Sequence, residues 1–218
     1  MELNKMIDHT YLKAIGTTKE IDVLLEEAKM FHFKSVCVNP AFVAHCKKAL
    51  ENTDVLVCTV IGFPLGANTI ETKVFETLNA VANGADEIDM VLNIGELKSG
   101  HYDYIKNEVT QVVKAAHGLT VKVIIETCYL TEDEIIKVSQ LIGNTDATFI
   151  KTSTGFGTQG ATPENVAIMK ANGNGKEVKA AGGVRTKEDF VKMIEAGATR
   201  IGTSNGIALL KNETGSEY

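Results

Sequence analysis

The sequence has 218 residues, of which 44% are hydrophobic and 23% charged, and its formal net charge is −6. That length suits one α/β barrel, and the acidic balance argues against a nucleic-acid or anionic-membrane partner. The first residues lack an apolar signal segment, the apolar runs are too short to span a bilayer, and the four cysteines form no CxxC pair. We therefore expect a cytoplasmic protein in a reducing compartment, with neither membrane nor nucleic acid as a partner.

Short apolar runs rich in valine and isoleucine alternate along the chain with helix-length amphipathic segments. The runs seldom alternate with polar residues, which is typical of strands covered on both faces in a parallel sheet. Eight such strands are predicted, at residues 6–8, 35–38, 55–61, 87–92, 121–126, 148–152, 177–180 and 199–202. The first has the weakest signal, and without it an open sheet would remain.

The intervening helices are predicted from apolar spacing and from signals at their ends. Apolar residues recur three and four positions apart in segments 21–28, 74–82 and 105–116. Capping boxes are predicted at Thr17, Thr131 and Thr186, and Thr162 precedes a proline suited to the first helical position. Glycines at positions 84, 118, 143 and 197 are placed to end four of these helices.

Alternating strands and helices can form either an open doubly wound sheet or a closed barrel. The Gly-x-Gly-x-x-Gly fingerprint of a dinucleotide-binding sheet is absent near the N-terminus, and eight strands favour a closed (β/α)₈ TIM barrel. Since no linker or low-complexity stretch interrupts the series, one domain is predicted over residues 1–218. Residues 211–218 are expected to form a mobile polar tail.

Two lysines follow apolar residues in neighbouring predicted strands, Lys151 in the sixth and Lys179 in the seventh. Adjacent strands lie about 4.8 Å apart, so two inward-pointing ammonium groups would each lower the other's pKa, and burial would lower both. A neutral lysine amine can attack a carbonyl and form a Schiff base. The alternative for each lysine alone is a side chain that extends to solvent at the barrel rim.

Two acids stand in apolar strands and would need partners inside a barrel. Asp89, in the fourth strand, could pair with Lys151 or Lys179 and transfer protons, or form only a structural salt bridge. Lys122 and Glu126 share one face of the fifth strand, and we expect them to form an ion pair in the barrel interior.

Glycines follow the seventh and eighth strands, where barrels commonly bind phosphate. Gly182 and Gly183 lie after the seventh strand, and Gly202 and Ser204 lie at the end of the eighth. Glycine permits a close backbone approach, and exposed N–H groups can bind phosphate oxygens. Each pair alone could be an ordinary turn, but together they predict an anion site.

Three further features carry weaker signals. Cys37 lies in the second strand and is expected to be a small buried residue, with the pocket mouth as an alternative. The five histidines are scattered without a metal-binding spacing, so no metal ligands are predicted. Tyr218 ends the polar tail; the alternative to a frayed end is that it folds over the pocket and assists proton transfer.

Eight blocks over nearly the whole chain resemble the deoxyribose-phosphate aldolases, a class I, Schiff-base-forming aldolase family. The blocks are residues 7–10, 36–40, 61–66, 87–91, 122–126, 149–155, 179–185 and 202–204. The resemblance implies Lys151, in an Ile-Lys-Thr-Ser motif, as the Schiff-base lysine, Lys179 as the lysine that tunes it, and Asp89 as a proton-relay acid. It also implies substrate and phosphate contacts at Gly182, Gly183, Gly202, Ser204, Thr10 and Cys37. Asn205 departs from the small residue expected beside them.

The resemblance implies a lyase of deoxyribonucleotide catabolism that reversibly cleaves 2-deoxy-D-ribose 5-phosphate to acetaldehyde and D-glyceraldehyde 3-phosphate. No metal or organic cofactor is expected, and the protein is expected to form a homo-oligomer, either a dimer or a tetramer. Two alternatives stay open. One is a Schiff-base aldolase that acts on a longer ketose phosphate, and the other is a non-catalytic barrel that binds a sugar phosphate.

Overall fold

The computed structural model describes residues 2–211, 213 and 215. Eight parallel strands close into a barrel in chain order, and the last pairs with the first. They are β1 (Ile7–Tyr11), β2 (Ser35–Val38), β3 (Leu56–Ile61), β4 (Glu87–Val91), β5 (Thr120–Ile124), β6 (Phe149–Lys151), β7 (Glu177–Ala181) and β8 (Arg200–Thr203). The predicted (β/α)₈ barrel is confirmed. The first strand, which had the weakest signal, is present and extends to Tyr11.

Helices follow the strands and cover the outside of the barrel. They are α1 (Thr18–Phe31), α2 (Val43–Ala49), α3 (Ile70–Ala82), α4 (Ile94–Lys98), α5 (Tyr102–Ala115), α6 (Glu132–Gly143), α7 (Pro163–Asn172), α8 (Lys187–Glu195) and α9 (Gly206–Lys211). The capping boxes at Thr17, Thr131 and Thr186 are present, and Thr162 caps α7. Within residues 2–211, no helix is both long and apolar enough to cross a membrane.

The main apolar core lies between the strands and the surrounding helices. Helix α1 buries the predicted stripe of Ile21, Leu24, Leu25 and Ala28. Helix α5 buries Ile105, Val109 and Val112 in the same way. Burial of each isoleucine, leucine or valine in these stripes contributes roughly 1.5–3 kcal/mol, which explains why both stripes face the barrel.

Helix α3 does not bury the apolar stripe predicted within residues 74–82. It buries Lys73, Thr77 and Ala80, whereas Phe75 and Leu78 are 70% and 42% exposed. Lys73 Nζ lies 2.5 Å from Glu108 and donates to two backbone carbonyls at 2.7 and 2.8 Å. These bonds offset the cost of burying an ammonium group, so a charged side chain occupies a position that apolar periodicity would not assign to it.

Candidate active site

A cavity of about 370 Å³ opens at the carboxyl ends of the strands, the end at which barrel enzymes carry their active sites. Its wall is formed by the loops after β6, β7 and β8 together with the end of β1. Six residues singled out from the sequence line it, namely Thr10, Lys151, Gly182, Gly183, Gly202 and Ser204.

Lys151 and Lys179 meet at one carboxylate. They are register partners on β6 and β7, and Nζ of each lies 2.7 Å from Oδ2 of Asp89. The Lys151 side chain is 3% exposed and borders the cavity, whereas Lys179 is buried behind it. The structure therefore brings together the two lysines and the acid that were predicted from the sequence, and Lys151 is the one of the three that borders the cavity.

A deeper layer of charges continues beneath this trio. Asp8 Oδ2 lies 2.5 Å from Lys179 Nζ, and Asp8 Oδ1 accepts from Arg200 at 2.7 Å. Glu87 accepts from Arg200 at 2.9 Å and lies 2.7 Å from Lys122 Nζ. Asp8, Glu87 and Arg200 were not among the functional residues predicted from the sequence. An available signal for Glu87 was its place in a mostly apolar strand, whereas Asp8 and Arg200 stand in strands with several polar residues or glycine.

Electrostatics stabilise the charged form of these groups. Burial opposes ionisation of Asp89, but Lys122, Lys151 and Lys179 hold its pKa well below the usual range. Burial likewise opposes protonation of Lys179, yet Asp8 and Asp89 raise its pKa above the ordinary value. The expected lowering is therefore wrong for Lys179, because two buried carboxylates outweigh the neighbouring amines.

The predicted ion pair between Lys122 and Glu126 is wrong. Lys122 Nζ donates to Asp89 Oδ1 at 2.8 Å on the adjacent strand. Glu126 lies beyond the end of β5, where its carboxylate accepts hydrogen bonds from the backbone N–H and the hydroxyl of Thr154. Burial raises the pKa of Glu126, and the bonds from Thr154 oppose that rise.

Cys37 is fully buried in the barrel interior, beneath the cavity rather than at its mouth. It is the register partner of Cys58, whose thiol donates to Asp89 Oδ1 at 3.1 Å. A hydrogen bond from Cys58 lowers the pKa of Cys37, whereas burial raises the pKa of Cys58 well above its usual value. The predicted small buried residue is what the structure shows, and Cys58 joins it beside the charged cluster.

The glycine loops after β7 and β8 lie side by side in the wall of the cavity. Gly182 and Gly183 both have φ of +79°, a conformation that glycine adopts without strain. The Thr203 hydroxyl donates to the Val184 carbonyl at 3.1 Å and so ties the two loops together. Asn205 also lines this region.

The chain after α9 returns toward these loops. The backbone N–H of Gly215 donates to the Arg185 carbonyl at 2.9 Å, and Glu213 N–H donates to Ala208 O at 2.8 Å. Tyr218, singled out from the sequence, lies outside the described residues.

Comparison with known proteins decides the family. The model of the DeoC/LacD family aldolases matches residues 3–214. The chain belongs to the DeoC/LacD aldolase family. The curated deoxyribose-phosphate aldolase 2 of Staphylococcus aureus (strain MSSA476) is 56% identical over 220 residues, covering 100% of both chains.

Solved structures agree with this family assignment. An aldolase structure that is 41% identical superposes with a TM-score of 0.92 and covers 96% of this chain and 94% of the other. A tetrameric deoxyribose phosphate aldolase from Aeropyrum pernix is 32% identical, with a TM-score of 0.89, and covers 96% of this chain and 89% of its own. The protein is therefore an aldolase of the DeoC/LacD family, and the non-catalytic barrel is not favoured.

Proposed function

We propose that this aldolase reversibly cleaves 2-deoxy-D-ribose 5-phosphate to acetaldehyde and D-glyceraldehyde 3-phosphate through a Schiff base at Lys151. One observation carries the proposal: Lys151 borders the cavity and shares the carboxylate of Asp89 with a second lysine. Further support comes from full-length relatives named deoxyribose-phosphate aldolase, which are 56% and 55% identical.

The charged cluster around Lys151 leaves this lysine at the edge of the cavity. The hydrogen-bonded cluster combines three carboxylates (Asp8, Glu87, Asp89) with four cationic side chains (Lys122, Lys151, Lys179, Arg200). Lys179 is held by two carboxylates, whereas Lys151 faces the cavity. Lys151 is therefore the amine of this cluster that a substrate can reach.

The proposed chemistry begins when the Lys151 amine adds to the C1 aldehyde of the open sugar and expels water to form an iminium ion. The C3 hydroxyl then loses its proton as the C2–C3 bond breaks, and the electron pair of that bond flows to the iminium nitrogen to give an enamine. D-Glyceraldehyde 3-phosphate leaves at this step. Protonation of the enamine at C2 and hydrolysis then release acetaldehyde and restore the amine.

Asp89 and Lys179 are proposed to move protons during this sequence. Because three amines stabilise the Asp89 carboxylate, it binds a proton weakly and would carry one only transiently. Its lasting contribution is to hold Lys151 and Lys179 side by side. Thr10, which lines the cavity, and Cys37, below it, are proposed as minor contributors to the pocket shape.

Substrate orientation is assigned to the glycine loops. Gly182, Gly183, Gly202 and Ser204 are proposed to bind the phosphate, since they line the cavity and their backbone can approach an anion closely. Fixing the phosphate would hold C1 against Lys151 and so lower the entropic part of the barrier.

A homo-oligomer is part of the proposal. Support comes from the tetrameric relative and from Phe75 and Leu78, which expose apolar surface on one face of α3. The cytoplasmic location stays a prediction from the sequence.

Trapping of the Schiff base tests the proposed function. Sodium borohydride with 2-deoxyribose 5-phosphate should leave a reduced adduct at Lys151, detected by peptide mass spectrometry. Lys151→Ala should lose the adduct and reduce cleavage on the order of 10³-fold or more. A folded wild-type protein that is not trapped at Lys151 would contradict the mechanism. Faster cleavage of a ketose phosphate such as fructose 1-phosphate would contradict the substrate.

A further inference from the structure

Glu126 is a buried carboxylate beside the cavity that the proposed Schiff-base chemistry does not use. It is 2% exposed and has a φ of +52° just after β5. Residues other than glycine seldom adopt this conformation, and where they do, surrounding contacts hold them in it. The side chain of Glu126 makes such contacts.

Those contacts lead to the loop after β6. The backbone N–H of Thr154 lies 3.3 Å from both carboxylate oxygens of Glu126, and the Thr154 hydroxyl donates to Oε2. The same hydroxyl oxygen accepts the N–H of Phe156 at 3.0 Å. A chain of hydrogen bonds thus runs from Phe156 through Thr154 to Glu126 and fixes the first turn of the loop.

The same loop packs directly on Glu126 further along. A Cβ added at Gly157 would lie 3.2 Å from Cδ of Glu126 and 2.6 Å from Sγ of Cys128. At the far end, Ala161 N–H donates to the Gly182 carbonyl at 3.0 Å. The loop is therefore attached to Glu126 at its start and to the glycine loop after β7 at its end.

Between these attachments the loop forms a wall of the cavity. Thr154, Gly155, Gly157, Thr158, Gln159 and Gly160 all line it. Three of these six residues are glycines, which contribute no side chain to hold a conformation and leave the backbone entropically free. A wall of this composition depends on anchors outside itself, and Glu126 supplies one.

We propose that Glu126 is a positioning residue, which sets the loop of residues 154–160 so that the cavity wall fits the sugar-phosphate part of the substrate above Lys151. The inference rests on the proposed function, because the fit concerns that substrate. Acetaldehyde has neither hydroxyl nor phosphate for this wall to orient, so imine formation with acetaldehyde should be insensitive to the position of the loop.

Steady-state cleavage and acetaldehyde trapping separate these contributions. Glu126→Ala removes the hydrogen bonds from the N–H and the hydroxyl of Thr154. It should raise KM for 2-deoxyribose 5-phosphate about tenfold or more, with a smaller change in kcat. Borohydride trapping of acetaldehyde at Lys151 should stay within about twofold of wild type. Glu126→Gln keeps one acceptor oxygen for Thr154 and should recover part of the KM. Exposed Glu132 provides a matched control as Glu132→Ala, which should leave KM unchanged.

Two results would overturn the inference. Neither would contradict the proposed function as long as the wild-type protein cleaves 2-deoxyribose 5-phosphate. One is an unchanged KM in Glu126→Ala. The other is an equal loss of acetaldehyde trapping, which would mean that Glu126 acts on Lys151 itself. If Glu126→Ala fails to fold, Thr154→Val removes the connecting hydroxyl but leaves the carboxylate in place. It should show the same rise in KM, and an unchanged KM in this variant would sink the inference.

Discussion

Lys151 and Lys179 are register partners on neighbouring strands, and both side-chain nitrogens lie 2.7 Å from the same oxygen of Asp89. A carboxylate shared in this way holds two amines closer than their charges would otherwise allow. The amine that borders the cavity is the one with fewer carboxylate contacts. Position and charge thus select the same residue as the nucleophile.

Replacement of Lys179 should move the pH dependence of cleavage. Lys179→Leu removes a positive charge beside Lys151. It also removes a cation that shares the Asp89 carboxylate with Lys151. Both changes make the surroundings of the reacting nitrogen more negative, which should move the activity profile to higher pH. The alkaline rise of kcat/KM should shift upward by about one pH unit or more.

Lys179→Arg is the matched control, since it keeps the positive charge opposite Asp8 and Asp89. Its profile should stay closer to wild type than that of Lys179→Leu. An identical pH profile in the leucine variant and the wild type would show that Lys179 does not set the protonation of Lys151.

The buried pair of Lys73 and Glu108 is expected to be a stability determinant remote from the chemistry. Both side chains are completely buried, and their charged atoms lie 2.5 Å apart. Lys73→Met would leave the Glu108 carboxylate without its cation in a site away from water. We expect the free energy of unfolding in urea to fall by about 3–5 kcal/mol.

The double variant Lys73→Met with Glu108→Leu tests the cause of that loss. Removal of both charges replaces an unpaired ion by apolar contacts, so a substantial part of the stability should return. The opposite result would be a double variant with a lower free energy of unfolding than Lys73→Met, as expected for two independent deletions in the core. That result would show that the charges of Lys73 and Glu108 do not stabilise each other.

The strands and the central trio could be predicted from sequence because they depend on short-range regularities. Apolar runs located all eight strands, and chain order placed Lys151 and Lys179 on neighbours. A polar residue inside an apolar strand has few options, so Asp89 had to meet a cation within the barrel. The family resemblance added the roles proposed for these groups.

Side-chain contacts between different strands of the barrel could not be predicted from these short-range patterns. A shared strand face suggested that Lys122 pairs with Glu126, but residues four apart on a strand are separated by about 13 Å, too far for contact. Lys122 instead reaches Asp89 on the next strand, its register partner. Asp8 and Arg200 meet across 192 positions, and no local pattern encodes a contact that only closure of the barrel creates.

The buried carboxylates should make stability fall in acid. Burial opposes ionisation of Asp8, but Lys179, Lys122 and Arg200 lower its pKa in the folded state. A lowered pKa contributes stability that is complete above the unfolded value of about 3.9 and is lost as pH falls toward the folded value. The free energy of unfolding in urea should therefore decrease from pH 6 to pH 3. The slope should be about 1.4 kcal/mol per pH unit for each proton taken up on unfolding.

Asp8→Asn isolates the contribution of this group, because asparagine cannot ionise. The gap in unfolding free energy between wild type and variant should be constant above about pH 5 and should narrow below about pH 4. A gap that is independent of pH throughout would mean that the Asp8 charge contributes nothing and that the variant is weakened by geometry alone.

Close packing of two loops should make Gly160 sensitive to even the smallest side chain. A Cβ at Gly160 would lie 2.2 Å from the Gly182 carbonyl oxygen and 2.9 Å from the Gly183 nitrogen. Gly160→Ala must therefore push apart the loop after β6 and the glycine loop proposed to bind phosphate. KM for 2-deoxyribose 5-phosphate should rise about tenfold or more, whereas cleavage of unphosphorylated 2-deoxyribose should change little. Gly95→Ala is the control, since its Cβ would meet Asn93 at an ordinary 3.4 Å; equal losses on both sugars in Gly160→Ala would place the damage at Lys151 rather than at the phosphate.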